Sequence, residues 1–120
     1  MHKVKFITLD EDDKDLMMTF AIEDSELGVR SLILLRTLFC EELLDENERG
    51  VHVSIEGVTK DEEYPNLLKR IQIEANKIEI ASAFNKFEID ISQIESSEID
   101  ELKLLLQKQN YDNRFIIQVV

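Results

Sequence analysis

Between Gly50 and Ile91 apolar and polar residues alternate four times in succession. Val51, Val53 and Ile55 alternate with His52, Ser54 and Glu56, and Ile71 and Ile73 with Arg70, Gln72 and Glu74. Ile78 and Ile80 then alternate with Lys77 and Glu79, and Phe87, Ile89 and Ile91 with Glu88 and Asp90. A period of two gives a strand one apolar and one wet face. β-branched residues, which suit a pleated surface, dominate the apolar side. The stretch predicts a four-stranded meander whose apolar face the rest of the chain must cover.

The flanking segments can supply that cover. Val4 to Leu9 and Leu16 to Glu23 read as a hairpin joined by the acidic turn Asp10–Asp15. Leu16, Met18, Phe20 and Ile22 share one face of the second strand, and Met17, Thr19 and Ala21 suggest partial cover on the other. Val29 to Phe39 suits either a buried strand or a helix; the strand-like turns beside it favour a central strand. Glu41 to Arg49 reads as an acidic connection with a helical turn at its start. Asn76 and Asn85 sit where tight turns call for positive φ.

After Ile91 the period lengthens. Ser97 with Asp100 resembles a capping box, and Ile99, Leu102, Leu105 and Leu106 share one face of a helix over residues 98–109. Phe115 to Val120 reads as a last strand. The expected fold is α+β, one domain over residues 1–120. It has an antiparallel β-sheet of about seven or eight strands, with one main C-terminal α-helix packed on one face.

Charge narrows the partners. The chain has 26 acids and 14 bases, a net charge of −12. Phosphate-rich surfaces repel it, so neither nucleic acid nor an anionic membrane is expected as a partner; a cationic protein is attracted. Twenty of the acids fall in five clusters, at 10–15, 23–26, 41–48, 61–63 and 95–101, nearly all between elements. A solvated rim is the plain reading of such clusters, and a docking surface the functional one. Cys40, the sole cysteine, allows no internal disulfide, fits a reducing compartment and reads as a small buried residue. No apolar run suits a signal peptide or a membrane span, so the cytoplasm is the expected location.

Motifs for chemistry fail one by one. Laid on the calcium-loop pattern, Asp10–Asp15 puts Lys14 on a ligand position and Asp15 where glycine is needed; Ala21 falls where a glutamate should close the site. His52, Ser54 and Glu56 share a strand face, but alternate residues stand roughly 6.6 Å apart, too far for a direct nucleophile–base bond. No CxxC, HExxH, GxGxxG or P-loop is present, and with only His2 and His52 a zinc site is not expected. The reading is a non-enzyme, with no cofactor and no metal.

The order of features resembles the small bacterial immunity proteins of polymorphic toxin systems, in particular the immunity protein 10 family. The hairpin with its acidic turn, Leu32-Ile33-Leu34-Leu35-Arg36, Val51-His52-Val53-Ser54-Ile55-Glu56 and the loop bearing Tyr64 carry the resemblance. So do Ile71–Glu74, Lys77–Ile80, Phe87–Ile91 and the helix around Leu102 to Leu106. The resemblance implies a cytoplasmic antitoxin that binds and neutralises a cognate toxin, as in contact-dependent growth inhibition. The acidic surface points to a basic nuclease as that toxin. Glu41, Glu42, Asp45, Glu46, Asp61, Glu62 and Glu63 are the expected charged contacts. Tyr64 and Tyr111 are the expected aromatic anchors. The alternatives are an adaptor domain or nucleic-acid mimic for a basic cellular protein and, more remotely, an enzyme using surface carboxylates.

Overall fold

The computed structural model describes residues 1–26, 28–58 and 65–120. It is an α+β fold: an eight-stranded sheet with one C-terminal helix packed against it. The strands are β1 (His2–Glu11), β2 (Asp15–Asp24), β3 (Gly28–Thr37), β4 (His52–Ile55), β5 (Leu68–Ile73), β6 (Lys77–Ser82), β7 (Lys86–Asp90) and β8 (Ile116–Val119). The helix, α1, spans Ser96–Gln109. The sheet order is β4-β3-β2-β1-β7-β6-β5-β8.

The sheet is mixed. Hairpin neighbours pair antiparallel, as does β3–β4, whereas β1–β7 and β5–β8, which join strands distant in the chain, are parallel. The β1–β7 seam is short, pairing His2 with Ile89 and Lys3 with Asp90. The sheet curls until its far edge meets the lead-in to β5. There the Val53 amide donates to the Asn66 carbonyl at 2.9 Å, and the Leu68 amide to the Val51 carbonyl at 2.8 Å.

The expected four-stranded meander is therefore three strands, β5-β6-β7. β4 belongs to the other half, because the ten-residue β3 offers it a longer partner edge, Leu32 to Leu35. The β5 side meets it only through the lead-in to that strand, at the isolated His52–Leu67 bridge and the two amide bonds beside it.

Alternation fills the core. Leu16, Met18, Phe20 and Ile22 of β2 face inward, with Leu32 and Leu34 of β3, Ile71 and Ile73 of β5, Ile78 and Ile80 of β6, and Ile89 of β7. On the other face of β2, Ala21 is buried and Met17 and Thr19 are half-buried, matching the partial cover expected there.

Register shifts correct the phase where the sequence breaks it. One lies between Val4 and Phe6, so Val4 is buried, Phe6 is exposed, and Ile7 and Leu9 return to the core side. Another, between Leu68 and Arg70, lets Leu68 share the inner face with Ile71 and Ile73. Each bulge inserts a residue and re-aims the side chains beyond it.

The helix covers this core with Leu102, Leu105 and Leu106, and Ile99 packs at the margin. Its start differs from the expected Ser97–Asp100 box. The cap is Glu95, and Glu98 reaches back to accept from the Glu95 amide at 3.4 Å, which places Ser97 inside the first turn. Gln109 docks the other end, its Nε2 donating to the carbonyls of Leu16 at 3.0 Å and Leu34 at 3.1 Å. The turn asparagines also depart from expectation. Among the described residues only Cys40 and Asn113 combine a side chain with positive φ, so Asn76 and Asn85 turn without it. Asn85 instead accepts, through its side chain, from Asn66 at 2.9 Å.

Ile80 is fully buried and central to this packing. Replacing it with alanine should cost about 2–5 kcal/mol, read as a lower urea midpoint with an unchanged slope. Leu104→Ala, on the exposed helix face, should stay within about 0.5 kcal/mol.

Candidate protein-binding surface

Many acids that look available in the sequence hold turns and element ends. The Asp12 carboxylate accepts from the amides of Lys14 at 2.8 Å and Asp15 at 2.7 Å, closing the first hairpin. The Asp15 amide, and then the Lys14 amide, hold that carboxyl below its usual range. Asp24 accepts from the Glu26 amide at 2.8 Å and pairs with Arg30 at 2.7 Å. Glu56 accepts from the Ser31 amide at 3.1 Å, tying the exit of β4 to β3. Asp90 accepts from the Ser92 amide at 2.8 Å.

The connection from β3 to β4 is organised by a charge inside the protein. Arg36 follows Leu32 and Leu34 in phase, so the alternation of β3 carries it inward, and it is fully buried. Its guanidinium donates to Glu41 at 2.7 Å and to both Asp112 oxygens at 2.7 and 3.0 Å. It also donates to the Gln109 carbonyl at 2.8 Å and the Tyr111 hydroxyl at 3.1 Å. The Tyr111 ring lies over it, with its centre 4.3 Å from Cζ. Its donors thus meet two carboxylates, a carbonyl and a phenol, the satisfaction a buried guanidinium requires.

The ion pairs reset the titration of these groups. Burial pushes the Arg36 guanidinium down, but Asp112 and Glu41 more than offset it and hold it above its usual range. The hydrogen bond from Arg36 is the main reason the Asp112 carboxyl lies well below the usual range; burial opposes it and Arg114 assists. Burial would raise Glu41, but Arg36 outweighs it, with help from the Tyr111 hydroxyl and the Gly50 amide. Burial is also the main cause that raises the Tyr111 phenol.

Glu41 thereby joins the end of β3, the turn after α1 and Gly50, two residues before β4. The rest of the connection forms two short 3-10 turns, Glu41–Leu43 and Glu46–Glu48. Arg49 holds the first, donating to the carbonyls of Glu42 at 2.9 Å and Leu44 at 3.0 Å. Arg114 donates to the Glu46 carbonyl at 2.7 Å and pairs with Asp112. Gly50 closes the segment at φ 131°, where a side chain would be strained.

The expected contact residues separate. Glu42, Asp45 and Glu46 lie together on the outside of this connection, all exposed. Glu41 is buried, 7 % exposed, and its carboxylate is engaged by Arg36. Asp61, Glu62, Glu63 and Tyr64 lie outside the described residues. Tyr111 presents an exposed ring while its hydroxyl donates to Glu41 at 3.2 Å. Cys40, expected inside, is exposed. It sits at φ 61° where the chain turns from β3 into the first 3-10 turn, and that turn carries its side chain outward.

Four groups escaped the sequence reading. Phe39, Leu43 and Leu44 are exposed on the same connection, and Arg36 anchors it from below. Arg36 had a signal, namely an arginine at the next inward position after Leu32 and Leu34. The leucines had none, because only the backbone held by Arg49 turns them outward. Compared with family models, with curated proteins and with solved structures, the chain matches none.

Arg36→Met should cost about 3–5 kcal/mol at pH 7, because Glu41 and Asp112 then face each other over an apolar stem. Their folded-state pKa values are depressed in the wild type, so the stabilisation is complete above the unfolded carboxylate range, about pH 4. It is lost as the pH falls through the lower folded values. Urea melts of both proteins should show a gap that is widest near neutrality and narrows in acid.

Proposed function

We propose that this chain is an immunity-type inhibitor, an antitoxin that binds a cognate bacterial toxin domain and blocks it. A basic nuclease is the toxin class that fits best. The observation that carries the reading is the placement of charge. Once the buried Glu41 is set aside, exposed acids remain in clusters between elements, among them Glu42, Asp45 and Glu46 on the connection that rims the sheet. A nuclease displays lysine and arginine to meet phosphate. Carboxylates spaced along a rim would pair with those cations, covering the site or the path of the substrate.

The resemblance in the order of elements to the immunity protein 10 family supports the same reading. Among the described residues no helix is long and apolar enough to cross a membrane. Action in the cytoplasm, where a delivered nuclease meets its substrate, completes the proposal. It needs no cofactor and no reaction on the part of this chain.

The test is co-expression of the tagged chain with the protein encoded directly upstream, followed by calorimetry at low and high salt. The expected result is a co-purifying complex, rescue of growth from the neighbour's toxicity, and weakening of the complex by about tenfold or more with added salt. If there is neither complex nor toxicity, the reading fails. Comparable binding to several unrelated nucleic-acid-binding proteins would replace it with mimicry of nucleic acid.

A further inference from the structure

Phe39, Leu43, Leu44 and Tyr111 are 65, 79, 41 and 61 % exposed. The first three stand on the connection between β3 and β4, and Tyr111 reaches the same connection through Glu41. Burying apolar side chains is the main gain in folding, so a connection that turns several of them outward forgoes stability. Arg49 and Arg114 fix the backbone carbonyls of Glu42, Leu44 and Glu46, and Arg36 fixes Glu41, so the apolar side chains stand on a pinned base. Such a pinned, exposed apolar group is what a binding anchor requires, because little ordering remains to be done on contact.

Among the described residues, the other exposed apolar side chains weighed against it do not combine these features. Phe6, Phe84 and Leu104 stand on separate elements. Val119 and Val120 border a groove of about 240 Å³ beside the start of α1, where Glu74, Asp100 and Lys103 mix both signs of charge. Around Leu43 and Leu44 the neighbours along the chain are Glu42, Asp45 and Glu46, all acidic and exposed.

We infer that the ledge formed by Phe39, Leu43 and Leu44, with Tyr111 beside it, is the docking surface for a cationic protein. The partner's apolar side chain seats on the leucines, and its lysines or arginines meet Glu42, Asp45 and Glu46. Glu41 is not a contact; it positions the ledge. The inference rests on the inhibitory reading for the identity of the partner but can be tested without it.

The probe is a short amphipathic leucine–lysine peptide, with a lysine-only peptide as control, titrated into the labelled protein and followed by amide chemical shifts. The leucine–lysine peptide should perturb residues 39–46 and 111–112 most. Leu43→Ser combined with Leu44→Ser should weaken it about tenfold, whereas Leu104→Ser should leave it unchanged. Both leucines are exposed, so the double variant should keep the wild-type urea midpoint. Absence of shifts at the ledge, shifts centred elsewhere, or equal affinity of the double variant would overturn the inference, even if the chain neutralises a toxin. Ledge binding in a chain that rescues no toxicity would uphold the docking surface and remove only the inhibitory reading.

Discussion

Arg36 sits at the inner end of β3 with no access to water, and four parts of the chain converge on it. The strand delivers it, the β3–β4 connection supplies Glu41, the end of α1 supplies the Gln109 carbonyl, and the turn before β8 supplies Tyr111 and Asp112. Replacing such a cluster wholesale with apolar groups is often neutral or stabilising, so its net contribution to stability is a poor reason for its presence. Its geometric consequence is clearer. A guanidinium has a planar fork of donors, and only one arrangement of two carboxylates, a carbonyl and a phenol fills it here. That arrangement fixes where the connection leaves the sheet, and hence where Glu42 to Glu46 are displayed.

The same end of the molecule holds two further devices that join separate layers. Gln109 bridges from the helix to the carbonyls of β2 and β3, two turns of α1 beyond Leu102. Arg114 links the turn after the helix to the connection at Glu46. The opposite seam, β1 with β7, is only two residue pairs long. The sheet halves are therefore joined chiefly by the shared core and by the β4–β5 closure, while the Arg36 end is joined by charge and hydrogen bonds. Carrying the exposed acids at that end places them on the part of the surface with the most internal support.

Period-two alternation made the strands legible, and the period of α1 made the helix legible, because both patterns follow from burying one face. The pairing of β4 was not legible. Val51 to Ile55 alternate equally well beside β3 or β5, and the choice depended on how much partner edge each offered. Bulges at Val4–Phe6 and Leu68–Arg70 were hidden for a related reason, since a phase slip in the sequence reads as an imperfect strand until the partner's register is known. Within the candidate surface, Glu42, Asp45 and Glu46 were found by counting charge. Counting could not separate them from Glu41, which lies in the same cluster but belongs to the buried Arg36. Nor could it find Phe39, which closes the apolar segment begun at Val29 although the strand itself ends at Thr37.

A net charge of −12 strains any compact state through self-repulsion. Here the cost is limited by where the charge lies. Apart from Arg36 and Glu41 the core is apolar, with Gln109 as its other buried polar side chain among the described residues. Asp12 and Asp90, among the remaining acids, are drawn into turn hydrogen bonds that favour their ionised form. Apolar side chains left in water invite self-association, but an identical copy would bring Glu42, Asp45 and Glu46 against their own like charges. A cationic partner meets no such barrier. On the docking proposal the acids beside the leucines would act twice, by repelling the wrong occupant of the ledge and attracting the right one, and the second effect needs no charge beyond what the first already requires.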